Sequence, residues 1–133
     1  MAEGETNLSS LLREMSVSVR PETYVVVPLP PDAVAPALGN GVGAVIEETE
    51  GATVIATQTR ATTEQWPYDF AASWLTLEVH SSLEAVGLTA AFSGELGRVG
   101  IPCNVIAGFY HDHILVPVDQ TKAAIEAIEG LAS

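Results

Sequence analysis

The order in which hydrophobic periodicity changes along residues 74–131 constrains this chain more than any single motif does. Trp74-Leu75-Thr76-Leu77-Glu78-Val79-His80 alternates with the period of two that a strand requires. Leu88, Ala91, Phe92, Leu96 and Val99 then share one stripe of a helix over 87–99, closed by Gly100. Pro102 opens a second strand through Asn104-Val105-Ile106-Ala107, residues 108–112 turn it, and His113 to Val118 returns. Asp119 reads as the N-cap of a last helix in which Ala124, Ile125, Ile128 and Leu131 share a face. Strand, helix, hairpin, helix in this order predicts an antiparallel sheet with both helices on one face, an α+β, ferredoxin-like module without its final strand. The sequence stops at Ser133, directly after that helix, so the central strand keeps an open edge unless another segment covers it.

The first half offers spare strands. Leu8, Leu11, Leu12 and Met15 are spaced i, i+3, i+4, i+7, a short amphipathic helix that Pro21 ends. Thr23 to Leu29 is a strand rich in β-branched residues. Pro28, Pro30, Pro31 and Pro36 then confine any helix before Asn40 to about a turn. Residues 43–48 and 52–57 make a hairpin turned at Thr49-Glu50-Gly51, followed by a short helix over 59–65. Trp66-Pro67-Tyr68 breaks the pattern, and Trp66 and Trp74 flank that break as candidates to pack between the halves. The reading is therefore a smaller N-terminal half-module over 1–66 and a C-terminal module over 67–133, sharing a sheet or packing as a pair.

Charge excludes one class of partner. Five Lys plus Arg stand against 17 Asp plus Glu, a net charge of −12, too few cations to track a phosphate backbone, so no nucleic-acid partner is expected. Much of the acidity sits on Glu3, Glu5, Glu47, Glu48, Glu50, Glu126 and Glu129, positions that keep a protein soluble rather than select a ligand. No apolar stretch approaches the roughly 20 residues that span a bilayer, and Met1 to Asn7 is acidic and polar, without a leader's pattern. The expectation is a cytoplasmic protein with no membrane partner. The single Cys103 makes neither a disulfide nor a metal framework, and reads as a small buried side chain.

Catalytic patterns are few. There is no GxSxG, phosphate-cradling glycine loop or HExxH. His80 and Ser81 are adjacent, and on a strand they point to opposite faces. His111 and His113 share a face and with His80 could hold zinc, or they are ordinary polar residues at a strand end. Ser81 or Ser82 with Asp112 and either of those histidines could form a hydrolytic triad. The preferred reading is non-enzymatic, with no cofactor.

Three blocks carry a resemblance. They are Val79-His80-Ser81-Ser82-Leu83-Glu84-Ala85-Val86-Gly87-Leu88, Leu96-Gly97-Arg98-Val99-Gly100-Ile101-Pro102-Cys103-Asn104-Val105 and Tyr110-His111-Asp112-His113-Ile114-Leu115-Val116-Pro117-Val118. Together they resemble the ACT-domain family, in particular small bacterial ACT proteins related to the ACT modules of animal cytosolic arginine sensors. The match covers Trp74 to Leu131, and the first half is similar to a companion ACT-like module. The resemblance implies a regulatory role, a free amino acid or similar small ligand, and a homodimer. Here the turn before the helix lacks the family's usual proline but keeps Gly87.

A zwitterion needs donors for its carboxylate and acceptors for its ammonium. Amides at Val86, Gly87 and Leu88, at a helix N-terminus, would supply the donors. Asp112, or the strand carbonyls from Val105 through Ile106 to Ala107, would supply the acceptors, with Asn104 beside them, and Ser81 and Ser82 can serve either group. Each piece has a structural alternative. Ser81-x-x-Glu84 is also a capping box, Gly87 also permits close helix packing, and Asp112 also suits an Asx-turn. Asp112 and the acidic balance lean towards a cationic ligand such as arginine. The alternative function is a ligand-free protein-interaction module, and more remotely a small hydrolase or metal-dependent enzyme.

Overall fold

The computed structural model describes residues 7–79 and 86–132. The chain divides into two compact units, Met1–Arg20 with Ser73–Ser133, and Pro21–Ala72. Compactness thus assigns the first helix to the C-terminal unit, a division different from a single boundary at 66/67.

The C-terminal unit contains α1 (Leu8–Glu14), the first residues of β1 (Val17–Leu29), β4 (Ala71–Leu77) from Ser73 on, α4 (Leu88–Arg98), β5 (Asn104–Ala107), β6 (Asp112–Pro117) and α5 (Thr121–Glu129). Its strands lie in the order β1-β4-β6-β5. The final strand missing from the sequence pattern is therefore the stretch just after α1. The Glu78 amide donates to the Ser16 carbonyl at 2.7 Å and the Ser18 hydroxyl to Glu78 at 3.2 Å, fastening its start beside β4. This corrects two expectations. The helix ends at Glu14, with Met15 already extended (ψ 130°), and the strand begins at Val17 and runs through Pro21. Val17 and Val19 favour the extended chain, and proline's φ fits it. The ladder with β3 (Gly51–Thr57) starts only at Tyr24, so Pro21 owes it no donor.

Alternation along the strands sorts the faces. Leu75, Leu77, Val79, Ile114 and Val116 meet Leu11 and Met15 of α1, Leu88, Phe92 and Leu96 of α4, and Ala124 and Ile128 of α5 in one buried cluster. All three helices thus cover one face of an antiparallel, ferredoxin-like sheet, and each fully buried Leu or Phe contributes about 1.5–3 kcal/mol. Trp74, Thr76, His113 and Leu115 occupy the alternate positions. At the end of α4 the Ile101 amide reaches back to the Leu96 carbonyl (2.9 Å), with Gly100 at φ 78°, a Schellman-type stop. Asp119 is not the N-cap of α5. It lies within a 3-10 turn, Val118–Gln120, that precedes the helix, and α5 starts without a side-chain cap. The Thr121 hydroxyl donates back to the Val118 carbonyl (2.8 Å) and fixes that turn.

The N-terminal unit holds the rest of β1, a 3-10 turn (Pro31–Ala33) leading into α2 (Val34–Ala37), β2 (Val42–Glu48), β3 and α3 (Gln58–Glu64). Strand order is β2-β3-β1. Its core is built from Val25, Val27, Leu29, Val54 and Ala56 with Ala37 and Ala61 from the helices. The β2–β3 hairpin closes on the pair Glu48 and Gly51, and Thr53 donates a hydrogen bond to Glu48. Thr57 caps α3 through the Arg60 amide at 3.2 Å. Gly41 has φ 83°, and a Cβ there would stand 2.8 Å from the Thr57 hydroxyl oxygen and 2.9 Å from the Arg60 Cβ, so both conformation and space demand glycine. Trp66 packs against this unit's core.

Candidate functional site

The direction of the central strands shows which candidate residues come together. The Ser73 hydroxyl lies 2.5 Å from that of Thr121, and the Thr76 hydroxyl 2.9 Å from His113 Nδ1. Numbers rise along β4 while they fall along its neighbour, so β4 and β6 are antiparallel and β4 exits beside the start of β6. The exit of β4 and the β5–β6 hairpin therefore share one end of the sheet.

Of the residues singled out from sequence, His80, Ser81, Ser82 and Glu84 lie outside the described residues. The N-cap of α4 is Gly87, with φ 103° and no side-chain cap, and no acidic residue sits in the first turn. The leading amides of α4 have no intrahelical acceptor, and their positive end favours an anion. Val86 is 84% exposed and Leu88 3%, so the Leu88 side chain belongs to the core and only its backbone could serve a ligand. The packing alternative for Gly87 also has substance, because a Cβ there would lie 3.1 Å from Leu8 Cδ2 of α1.

On the other side, β5 and β6 pair Asn104 with Leu115, Val105 with Ile114, Ile106 with His113 and Ala107 with Asp112. Asn104 and Val105 are exposed and Ile106 is half-buried, and Asn104 Nδ2 donates to the Leu115 carbonyl at 3.4 Å. Asp112 is half-buried, and burial pushes its carboxyl above the ordinary carboxylate range. Phe109 and Tyr110, at the tip, are 46% and 63% exposed, with ring centroids 5.0 Å apart in an edge contact.

Sequence reading missed a cluster beside this end. Trp74 Nε1 donates to His113 Nδ1 at 3.1 Å, the two rings lie 5.4 Å apart, and the Arg20 guanidinium sits 3.8 Å from the centroid of the Trp74 ring. The period-two spacing of Trp74 and Thr76 and of His111 and His113 was the available signal. Among the described residues no group of three His, Cys, Asp or Glu is placed to hold a metal ion. Burial pushes the Cys103 thiol up, and the side chain packs against the C-terminal core, as a small apolar residue would.

Clefts occur elsewhere. One of 640 Å³ lies at the C-terminal end of α4, between Arg98, Ile101, Ala123 and Glu126. Another of 360 Å³ lies in the N-terminal unit, between Pro28–Pro30 and the β2–β3 hairpin. That second cleft occupies, in its own unit, the place that the start of α4 and the β5–β6 hairpin hold in the other. Among the described residues no helix is long and apolar enough to cross a membrane.

Comparison with known proteins agrees with the fold. The chain is 37% identical to a Vibrio cholerae protein of unknown function, named as a possible transport protein, covering 95% of this chain and 96% of that one with a TM-score of 0.85. An Agrobacterium tumefaciens protein superposes with a TM-score of 0.69 at 16% identity, covering 89% of each chain. The regulatory subunit of aspartate kinase from Thermus thermophilus has a TM-score of 0.64 at 12% identity, covering 86% of this chain and 95% of that one. Among curated proteins none matches. Two ACT-domain family models match in tandem, over residues 3–73 and 70–130. ACT domains are regulatory, ligand-binding modules, and on these matches the chain belongs to the ACT-domain family.

Proposed function

We propose that this protein is a non-enzymatic, cytoplasmic regulator that binds a free amino acid and works as a homodimer. One observation carries the reading: a half-buried carboxyl, Asp112, stands on the hairpin at the end of the sheet from which α4 starts, behind a glycine and without a side-chain cap. A carboxylate held partly away from water gains most from an ammonium or guanidinium partner. An uncapped helix start offers amides to a carboxylate. In this reading Ser81, Ser82, Val86, Gly87 and Leu88 face the ligand's carboxylate, with Asn104, Val105, Ile106 and Asp112 on its other side. Occupancy would bias association between copies, which is allostery if the ligand prefers one arrangement.

Thermal melts against each of the twenty amino acids at millimolar concentration test this directly. A saturable rise in Tm with at least one of them is expected, lost in Asp112→Ala. No shift with any of them overturns the reading. Sedimentation with and without that amino acid tests the dimer.

The second reading, a protein-interaction module without a small ligand, is favoured by the exposed Phe109 and Tyr110, since clustered surface aromatics are common at protein interfaces. Replacing both by Ser should abolish partner binding on this reading and leave amino-acid binding intact on the first.

A further inference from the structure

His113 is confined from several sides. From β4, Trp74 Nε1 donates to its Nδ1 at 3.1 Å, and the Thr76 hydroxyl lies 2.9 Å from the same nitrogen. From the hairpin, a Cβ added at Gly108 would lie 3.1 Å from His113 Nε2 and 2.8 Å from the His111 carbonyl oxygen. The Gly108 amide donates to that same carbonyl at 2.9 Å, closing the turn. From β1, Arg20 lies over the far partner, Trp74. An indole N–H only donates, so Nδ1 must keep its lone pair and the neutral ring carries its proton on Nε2.

We propose that neutral His113, held by the indole of Trp74, is the positioning residue of the β5–β6 hairpin, and that a proton on Nδ1 breaks this bond and loosens the hairpin. A protonated Nδ1 would face the indole with a second donor, so the bond to Trp74 is lost and the new N–H turns to the Thr76 hydroxyl, 2.9 Å away, drawing the ring off the indole. Its opposite edge rests on Gly108, where there is no room even for a methyl group, so the movement passes to the turn that carries Phe109 and Tyr110. The titratable and charged groups acting on the ring are Arg20 and His111, which oppose its protonation, and Glu78, which favours it. Burial, the largest cause, also opposes the cation, and together these hold His113 below the ordinary histidine value. The loosening therefore falls on the acid side of pH ~6.5. It depends only on the fold of the hairpin and stands whether or not an amino acid binds there.

Trp66→Phe leaves Trp74 as the single tryptophan, since the chain has two. In that background Trp74 fluorescence is followed from about pH 8 to about pH 5. Amide exchange of residues 108–113 is measured alongside and corrected for its intrinsic pH dependence. One transition below the ordinary histidine midpoint is expected, accompanied by about tenfold easier opening of the hairpin, the worth of one hydrogen bond. His113→Asn can still accept from the indole but gains no charge. Both pH responses should vanish in it while hairpin protection at neutral pH stays near that of the parent. His113→Phe, which keeps a ring but no acceptor, should open the hairpin at neutral pH. A Trp74 transition that survives in His113→Asn, a flat signal across the range, or hairpin exchange that ignores the transition overturns the proposal. If His113→Phe fails to fold, the Asn variant alone still decides.

Discussion

The two units repeat the theme of a small antiparallel sheet with helices on it, but they are stabilised differently. The C-terminal unit buries Phe92, Leu11, Leu75, Leu77, Leu96, Ile114 and Ile128 completely, whereas among these largest fully buried side chains the N-terminal unit contributes only Val25, Val27 and Val54. Its helices meet the sheet through Ala37 and Ala61. Smaller side chains bring helix and sheet closer and bury less apolar area each, so the N-terminal unit depends more on backbone geometry. Gly41, seated against Thr57 and Arg60, is an instance. The contrast teaches that one family fold can rest on side-chain volume in one copy and on tight turns in the next.

The sharpest way to break this comparison is removal of residues 1–16. That takes away Leu11 and Met15, 0% and 5% exposed, together worth about 3–6 kcal/mol. Amide exchange should show the C-terminal unit opening throughout while residues 24–57 stay protected; equal loss in both would mean the chain melts as one body. Phe92→Ala should cost about 3–5 kcal/mol by denaturant unfolding, and Val54→Ala less, about 1–3 kcal/mol. If the two cost the same, the volume contrast is wrong. Gly41→Ala should cost about 1–2 kcal/mol from the left-handed backbone alone and more from overlap with Arg60. Gly87→Ala meets only the flexible end of Leu8, so it should cost less in a thermal melt. Smallest are the caps: Asn7→Ala and Thr57→Ala each remove one acceptor for a helix amide, at 3.0 Å and 3.2 Å, costing about 1 kcal/mol.

Acid should distinguish the units as well. His113 has its folded-state pKa lowered, so it contributes stability above its unfolded value, lost as pH falls below that value towards the folded one. Asp112 is raised and works in the opposite sense: its ionised form strains the fold once pH exceeds the folded value. Asp112→Asn should therefore give a small rise in Tm at neutral pH and none in strong acid. Both groups belong to the C-terminal unit, so a pH-dependent loss of exchange protection should begin there.

How far the sequence could be read follows from which signals are local. The β2–β3 hairpin and α4 announce themselves through alternation, a 3.6-residue stripe and the glycines at 51, 87 and 100, all within a dozen residues. The start of β1 did not. Val17 to Arg20 is short, ends at a proline and makes sense only beside β4, some sixty positions later. Asp119 looked like a cap because its residue type is right, yet the hydroxyl of Thr121 bonded to Val118 shapes the turn that precedes α5. For the site, Gly87 and Asp112 were visible as residue types in a family pattern. The bond from Trp74 to His113 was not, because it joins residues 39 positions apart and needs the register of two paired strands, which no local period encodes.

The stretch that completes the C-terminal sheet has a consequence for biosynthesis. Residues 21–72 have every strand of their own unit in hand once they are made. The residues just before them are made earlier and used later. Leu11, Met15 and Val17 to Arg20 must wait until β4, β6 and α5 have been translated, about a hundred residues later, on the order of ten seconds at typical elongation rates. Through that interval an apolar helix without its sheet travels with the nascent chain, a window in which a chaperone would find a long-lived target.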